Sequence, residues 1–423
     1  KEIQFISEAQ ELQIGEQHYA PTRQSEGGDF SVLPDLTVYV NEVGQKLAAV
    51  SDRKLPYEFK VLNSSVPNAW ALPGGKIAVN RGLLTELKNE SELAAVLGHE
   101  IVHAAARHGA KAQERGTLLQ VGLAAAQIGA AVGGVDQNLA GLVLSGASVG
   151  AQLIQTRYGR EHELESDLYG MRYMKAAGYD PQGAVTLQET FVRLSEGRET
   201  SWLEGLFASH PPSQERVARN RETAAALGPG GDAGAERYAA RVAPLMKIKP
   251  SYDKYDQALA ALQKKDTATA RSLASQAARE VPQEGRFHQL LGDIALNEKK
   301  DAQALTHYRE AMRLSPDYFG SWLGAGVAQY RLGNRAEAEQ WLTQSAKLLP
   351  TVPAALYLGN IARDRGDRAS ALQYYQAAAG AQGELGQQAA IEALKIDLPA
   401  NPGNYIAAAV QMDARGRPVL AVQ

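Results

Sequence analysis

The chain contains no cysteine. That excludes a disulfide scaffold and any thiolate-bound metal, so a metal site here must use histidine and carboxylate. It has no excess of either charge: 44 Lys and Arg stand against 47 Asp and Glu, a net of −3. Nothing in that balance suits a nucleic-acid partner. There is no methionine at Lys1 and no signal-peptide pattern behind it, so the first residue reads as a processed or trimmed end. One long stretch lacks charge almost entirely. Asp136 is the only charge between Gly116 and Thr156, among abundant Gly and Ala. Residues 116–156 could be a transmembrane hairpin, but Gly, Ala and Gln gain little from entering lipid. A pair of small-residue helices is expected instead, packed over an active site or making peripheral contact with a membrane. What is present is apolar content: 44% of 423 residues, enough for one to three cored domains.

The stretch His99-Glu100-Ile101-Val102-His103 follows the apolar run Leu93–Gly98, which reads as helix. Residues four apart on a helix share a face, with Cβ atoms about 5–6 Å apart. His99 and His103 can therefore present two imidazole nitrogens to one zinc ion. Glu100 projects about 100° round the helix, which suits a general base acting on water better than a ligand. The same five residues also fit a buried helix with two satisfied histidines, so the rest of the chain must decide.

Phe5, Ala9 and Leu12 mark an amphipathic helix over 2–17, and residues 18–33 with Gly27-Gly28 read as loop. Leu36, Tyr39, Val40, Val43, Leu47 and Val50 recur at helical period. Tyr57, Phe59 and Val61 alternate with Glu58 and Lys60 as a half-buried strand. Pro73-Gly74-Gly75 turns between two strand-like flanks. In this hairpin, Ile77, Ala78 and Val79 are expected at a sheet edge, where an extended peptide could pair. Asn89 with Glu92 forms a capping-box pattern opening a helix near residue 90. Arg157 to Ala177 is a charged amphipathic helix ended by Gly178, and Pro181 opens the next. The loop Ser209-His210-Pro211-Pro212 precedes a further helix from about Ser213 to Ala226, and 227–232 is a breaker cluster. Farther on the chain repeats itself. Pro282, Pro316 and Pro350 are 34 residues apart, and Gly292 and Gly326, like Ala304 and Ala338, keep the same step. A copy near Gly359 and Ala371 is one residue shorter. This period predicts tetratricopeptide helix pairs, about four between Tyr252 and Gly380. Tyr405 to Val422 alternates like a strand and is expected to cap the array.

A catalytic zinc takes three protein ligands and keeps an open position. Glu163 on the acidic helix fits as the third ligand. Asp167, four positions on, suits an outer-shell role, accepting the N–H of a ligating histidine. Glu161 and Glu165 compete for the ligand role, and a solvated acidic face is the rival reading. His99-Glu100-x-x-His103, then Glu163-x-x-x-Asp167, with Asn68-Ala-x-Ala-Leu-Pro-Gly-Gly upstream, resembles the M48 family of zinc metallopeptidases over roughly residues 1–226. The resemblance implies that Glu163 is the third ligand and Asp167 its catalytic-site companion. It also implies that a histidine in a loop matching Ser209-His210-Pro211 can occupy the open zinc position and hold the enzyme inactive. Arg216, six residues after His210, could bind a substrate carbonyl or acidic group, or form a surface salt bridge.

The expected fold is mainly α: a gluzincin-type α+β metalloprotease domain with a small sheet over 1–249, then an α-solenoid of tetratricopeptide repeats with a C-terminal cap over 250–423. The expected function is a zinc endopeptidase with one Zn²⁺ per chain and a protein substrate. With repeats behind the protease, the resemblance further implies a periplasmic enzyme serving outer-membrane protein quality control or assembly. The repeats would bind substrate or a protein partner, such as the outer-membrane assembly machinery. The alternative is a chaperone or adaptor whose repeats dominate and whose protease site is latent. Substrate identity, cleavage preference, oligomeric state and the trigger for activation are not written in the sequence.

Overall fold

A computed structural model describes residues 7–105, 153–155, 157–381 and 383–403. The first helix, α1 (Glu8–Ser25), opens with a complete capping box: Gln10 N–H donates to Ser7 Oγ, and Ser7 N–H donates to Gln10 Oε1. It runs through residues 18–25, which the turn residues had marked as loop. The reason is tertiary. Tyr19 and Thr22 are buried and the Tyr19 hydroxyl donates to the Ile77 carbonyl at 2.5 Å, so packing holds the helix despite Pro21. The turn comes at Gly27-Gly28, both with positive φ. Phe5 lies outside the described residues.

Helix α2 (Pro34–Ala49) buries Leu36, Tyr39, Val40, Val43 and Leu47, as its period predicts. Strands β1 (Glu58–Leu62), β2 (Ala69–Leu72) and β3 (Lys76–Asn80) form one sheet in the order β1-β3-β2. β2 and β3 are the expected hairpin, antiparallel with Trp70 opposite Ala78. β1 adds in parallel on the other side, Phe59 opposite Ile77. This corrects the expectation for Ile77, Ala78 and Val79. They lie in the middle strand with both edges paired, and no peptide can add there. Hairpin periodicity cannot reveal which strand a third one will join.

A short α3 (Arg81–Leu84) leads to α4 (Glu90–Ala105), which carries the H-E-x-x-H motif. Its cap departs slightly from the expected box. Glu92 N–H does donate to Asn89 Oδ1, but Glu92 Oε1 accepts from Lys88 N–H, one residue earlier than a standard box. α4 is buried from Glu90 through Ala104. It packs against the sheet, α2, α5 (Arg160–Ala176) and α6 (Gln182–Glu196). Two short helices follow, α7 (Thr200–Glu204) and α8 (Leu206–Ser209), then α9 (Gln214–Leu227). Ser213 Oγ caps α9 by accepting from Arg216 N–H.

The 29-residue helix α10 (Ala235–Gln263) runs on without a break, although it contains Pro244 and Pro250. With α11 (Thr267–Glu280) it starts a stack of antiparallel pairs: α12 (Gly285–Asn297) with α13 (Asp301–Leu314), α14 (Phe319–Arg331) with α15 (Arg335–Leu348), and α16 (Val352–Asp364) with α17 (Arg368–Ala379). The 34-residue repeat has a packing cause. A Cβ at Gly292 or Gly359 would meet the ring of Tyr308 or Tyr375 at 2.7 Å, so the glycine of one helix makes room for the aromatic of the next. α18 (Glu384–Ala400) covers the last pair, with Ala389 buried. The expected cap at 405–422 lies outside the described residues, as does 116–152.

The division expected at 249/250 falls inside α10. Buried residues of both parts, Tyr39 and Leu93 on one side and Tyr252 and Phe287 on the other, belong to one continuous hydrophobic cluster. Polar contacts join them too. Asn63 Nδ2 donates to Glu284 Oε2 at 3.1 Å, Arg286 Nη2 donates to the Gly27 carbonyl at 2.6 Å, and Arg81 lies over the Tyr252 ring at 3.8 Å. Among the described residues, no helix is long and apolar enough to cross a membrane.

Candidate metal centre and active site

The site forms where α4 crosses α5. The crossing is close because two glycines face each other: a Cβ on Gly170 would lie 3.1 Å from Gly98 C and His99 N. One and two turns along α5 from Gly170, Asp167 and Glu163 face α4, while Glu161 and Glu165 are exposed. Burial therefore selects among the acidic residues where spacing alone left three candidates.

His99, His103, Glu163 and His210 are all buried, and one ligand atom from each lies within 4.8 Å of every other. His99 Nε2 and His103 Nε2 are 2.9 Å apart. Glu163 Oε1 is 2.9 Å from His103 Nε2 and 3.0 Å from His210 Nδ1, and Glu163 Oε2 is 3.2 Å from His99 Nε2. His210 Nδ1 is 3.2 Å from His99 Nε2. Zinc bonds of about 2.0–2.1 Å in a tetrahedron place neighbouring donors about 3.3 Å apart. The observed spacings agree with that figure to within a few tenths of an ångström. Glu100 Oε2 is moreover buried with no hydrogen-bond partner among the described residues. Four inward-facing donors, nitrogen and oxygen only, fit a zinc ion.

Around this set sits a second layer. Asp167 Oδ1 is 2.8 Å from His99 Nδ1. With a metal bound, that contact would keep the proton on Nδ1 and leave the Nε2 lone pair for the ion. Arg216 holds Asp167 with two bonds, Nε to Oδ2 at 2.7 Å and Nη2 to Oδ1 at 2.9 Å. Its Nη1 lies 3.1 Å from Glu163 Oε2 and donates to the Pro211 carbonyl at 3.0 Å. Arg216 is 7% exposed, so it is neither a surface ion pair nor a group facing an open cleft. Tyr158 stacks on His103 with ring centroids 3.8 Å apart. Arg53 donates to the Ala104 and Ala105 carbonyls at the end of α4 while bound to Glu8 and Glu11. Neither Tyr158 nor Arg53 has a motif that would flag it, because each acts through residues distant in sequence.

Charge is tightly balanced here. Burial disfavours the charged form of Glu163, but His99, His210 and Arg216 outweigh it and hold its carboxyl well below the usual range. Asp167 is lowered in the same sense, burial being overcome by Arg216 and His99. Burial pushes the His103 imidazole well down, which keeps it a neutral donor.

His210 caps α8 and reaches into the centre. Its Nδ1 faces the ligand atoms, and its Nε2 lies 3.0 Å from Glu100 Oε1. His18, His288 and His307 are not part of the cluster. His108 lies outside the described residues.

Comparison with known proteins agrees with this geometry. The profile of Peptidase family M48 matches residues 34–224, and that of the Tetratricopeptide repeat matches 255–319 and 302–353. The Beta-barrel assembly-enhancing protease of Yersinia pestis is 27% identical over 73% of this chain and 67% of its own length. The protein of that name from Escherichia coli (strain K12) is 29% identical over 53% of this chain, and the match spans only 46% of its length. Metalloprotease LoiP of Escherichia coli (strain K12) is 31% identical over 46% of this chain and 71% of its own. The shared sequence thus spans the crossing helices and the sheet beside them, and on that ground the chain belongs to peptidase family M48, as a zinc-dependent metalloendopeptidase carrying tetratricopeptide repeats.

Proposed function

We propose that His99, His103 and Glu163 hold the zinc, that Glu100 is the general base, and that His210 keeps the enzyme latent. The observation that carries this reading is the double engagement of His210. An imidazole donating Nε2–H to Glu100 Oε1 turns its Nδ1 lone pair towards the other three donors. One side chain then takes both the open ligand position and the base.

When bound, zinc supplies Lewis acidity that makes water a better nucleophile and stabilises charge on the substrate carbonyl. The chain's residues do the rest. Glu100 takes a proton from the attacking water as the new C–O bond forms. It returns that proton to the amide nitrogen as the C–N bond breaks. Asp167 holds His99 in one tautomer, and Arg216 holds Asp167. An extended substrate would pair with β2, the sheet's outer strand on that side among the described residues, rather than with the enclosed β3.

The similarity to Beta-barrel assembly-enhancing proteases supports a protein substrate and a periplasmic role in outer-membrane protein assembly or quality control. The repeats (α10 to α17) offer a surface for a protein partner, as tetratricopeptide arrays do. The unit over 250–423 acts in this reading as an adaptor fixed to the protease over 1–249.

The test is His210→Ala. Cleavage of an unfolded protein should rise at unchanged zinc content, and adding Glu100→Gln should abolish the gain. An inactive His210→Ala protein that retains zinc would make His210 a substrate-binding group instead.

A further inference from the structure

An α-helix leaves its last four carbonyls without partners inside itself. The metal centre lies at such an end: α4 is described to Ala105, and His103 sits in its last turn. A cation suits the negative end of a helix. His103 is the basic residue of that turn, but its side chain faces the other donors of the centre, with Nε2 2.9 Å from Glu163 Oε1. The cation comes instead from the loop between α2 and β1, residues 50–57. Arg53 Nη1 donates to the Ala105 carbonyl at 3.2 Å and reaches the Ala104 carbonyl at 3.5 Å.

Arg53 is itself held from several sides. Its Nη1 and Nη2 form a fork on the two Glu11 carboxylate oxygens, at 3.0 and 3.3 Å, and Nη2 also donates to Glu8 Oε1 at 3.0 Å. Glu11 is wholly buried, so α1 fixes where the guanidinium lies. The Tyr57 hydroxyl donates to the Arg53 carbonyl at 3.1 Å. The same loop grips α5. The Tyr173 hydroxyl donates to Asp52 Oδ2 at 3.0 Å and accepts the Asp52 N–H at 3.3 Å. Adjacent residues of one loop therefore bind both crossing helices, α4 through Arg53 and α5 through Asp52. An exposed ion pair contributes little. This one is anchored on a buried acid and ends on the carbonyls that follow a donor of the metal centre.

We propose that Arg53 is a positioning residue for the metal centre: it closes the last turn of α4 and so fixes His103 in place for zinc. The inference rests on His103 being a zinc ligand. Arg53 touches neither metal nor substrate and acts through the backbone. Without it the Ala104 and Ala105 carbonyls lose that donor and the last turn frays. His103 then spends part of its time out of reach of Glu163 and His99. The apparent zinc affinity falls in proportion to the time spent in the competent form.

The test measures zinc affinity of the whole chain by chelator competition. Arg53→Met alone would strand the buried Glu11 carboxylate, so it is combined with Glu11→Gln. This double variant should bind zinc at least tenfold more weakly. Hydrogen exchange should rise at least tenfold at residues 102–105 and stay unchanged at 93–97. Glu11→Gln alone keeps the Arg53 donors and should remain within threefold of wild type. Wild-type affinity in the double variant, or an equal loss in Glu11→Gln, overturns the positioning role. Glu90→Gln removes a buried acid from the opposite end of α4 and controls for stability. It should also remain within threefold, and a loss matching that of the double variant overturns the inference. Arg53→Gln keeps an amide donor beside Glu11 and reports if the double variant folds poorly. Its affinity should fall at least threefold, and an unchanged value overturns the role. His103→Ala separates the two readings. Full zinc in that variant defeats the ligand assignment and this inference with it. Zinc lost in His103→Ala but kept in the Arg53 variants defeats the positioning role alone.

Discussion

At the scale of single residues, the site depends on groups that hold other groups in place. Glu100 is the simplest case, since Gln matches its shape but cannot accept the proton. Glu100→Gln should keep zinc and the fold and lose about 10²–10⁴-fold in cleavage rate. Near-normal turnover would remove Glu100 from the mechanism. Glu90 is a structural counterpart at the start of the same helix. It is 1% exposed and receives Arg237 Nε and Nη2 at 2.8 and 2.7 Å and the Tyr39 hydroxyl at 2.6 Å. Burial works against its charge, but these bonds win and lower its pKa from 4.5 to about 2. A lowered carboxylate contributes stability that is fully present above pH 4.5 and is lost as pH falls through that window towards 2. Glu90→Gln should therefore cost about 2 kcal/mol at neutral pH. The gap between variant and wild type, measured by urea unfolding, should close as the solution is acidified through the same window. A gap independent of pH would mean that shape, not charge, matters at this position.

At the scale of elements, the distance between the proposed ligands is set by how closely α4 and α5 approach. That approach depends on Gly98 and Gly170, which touch no ligand side chain. Gly170→Ala adds one carbon at a contact of 3.1 Å and needs a shift of only tenths of an ångström. Gly170→Val adds two more and must push α5 away. It should cost about 1–3 kcal/mol and weaken zinc binding at least tenfold, read by chelator competition, because Glu163 moves with the helix. Unchanged zinc affinity in Gly170→Val would show that the site tolerates a wider crossing. The H-E-x-x-H helix was legible because its two histidines are four apart and local geometry alone joins them. Glu163 was legible as the leading candidate for third ligand, but Glu161 and Glu165 stayed in competition with it, because only the packing of α5 buries one of the three.

At the scale of the whole molecule, protease and repeats share a core. The stack from α10 to α17 followed from a 34-residue period, since each unit repeats one local packing problem. The joint with the protease left no such trace. It is made by single residues far apart in the chain, with Asn63 meeting Glu284 and Gly27 meeting Arg286. A fragment beginning near Ser251 would cut α10 in two and expose Tyr252, which is 1% exposed in the intact chain. The intact protein should then unfold in one calorimetric transition. Two separated transitions would show that the parts are independent. Arg81→Met keeps volume near Tyr252 but removes the donors to Asn63 Oδ1 and Ser65 Oγ. It should lower the midpoint of that transition without splitting it, at a cost of about 2–4 kcal/mol.

By itself the sequence determined what depends on neighbours within a few turns: a helix with two histidines on one face, a hairpin around Pro73-Gly74-Gly75, a repeated helix pair, and a donor chemistry limited to histidine and carboxylate. Tertiary structure decided the rest. It placed β3 in the middle of the sheet and buried Arg216 between Asp167 and Glu163. It also brought His210 to within hydrogen-bond distance of Glu100, 110 positions earlier in the chain. The physical reason is the same in each case. Local periodicity fixes which face of an element is apolar, but only packing against distant elements decides which polar side chains on that face are left to find one another.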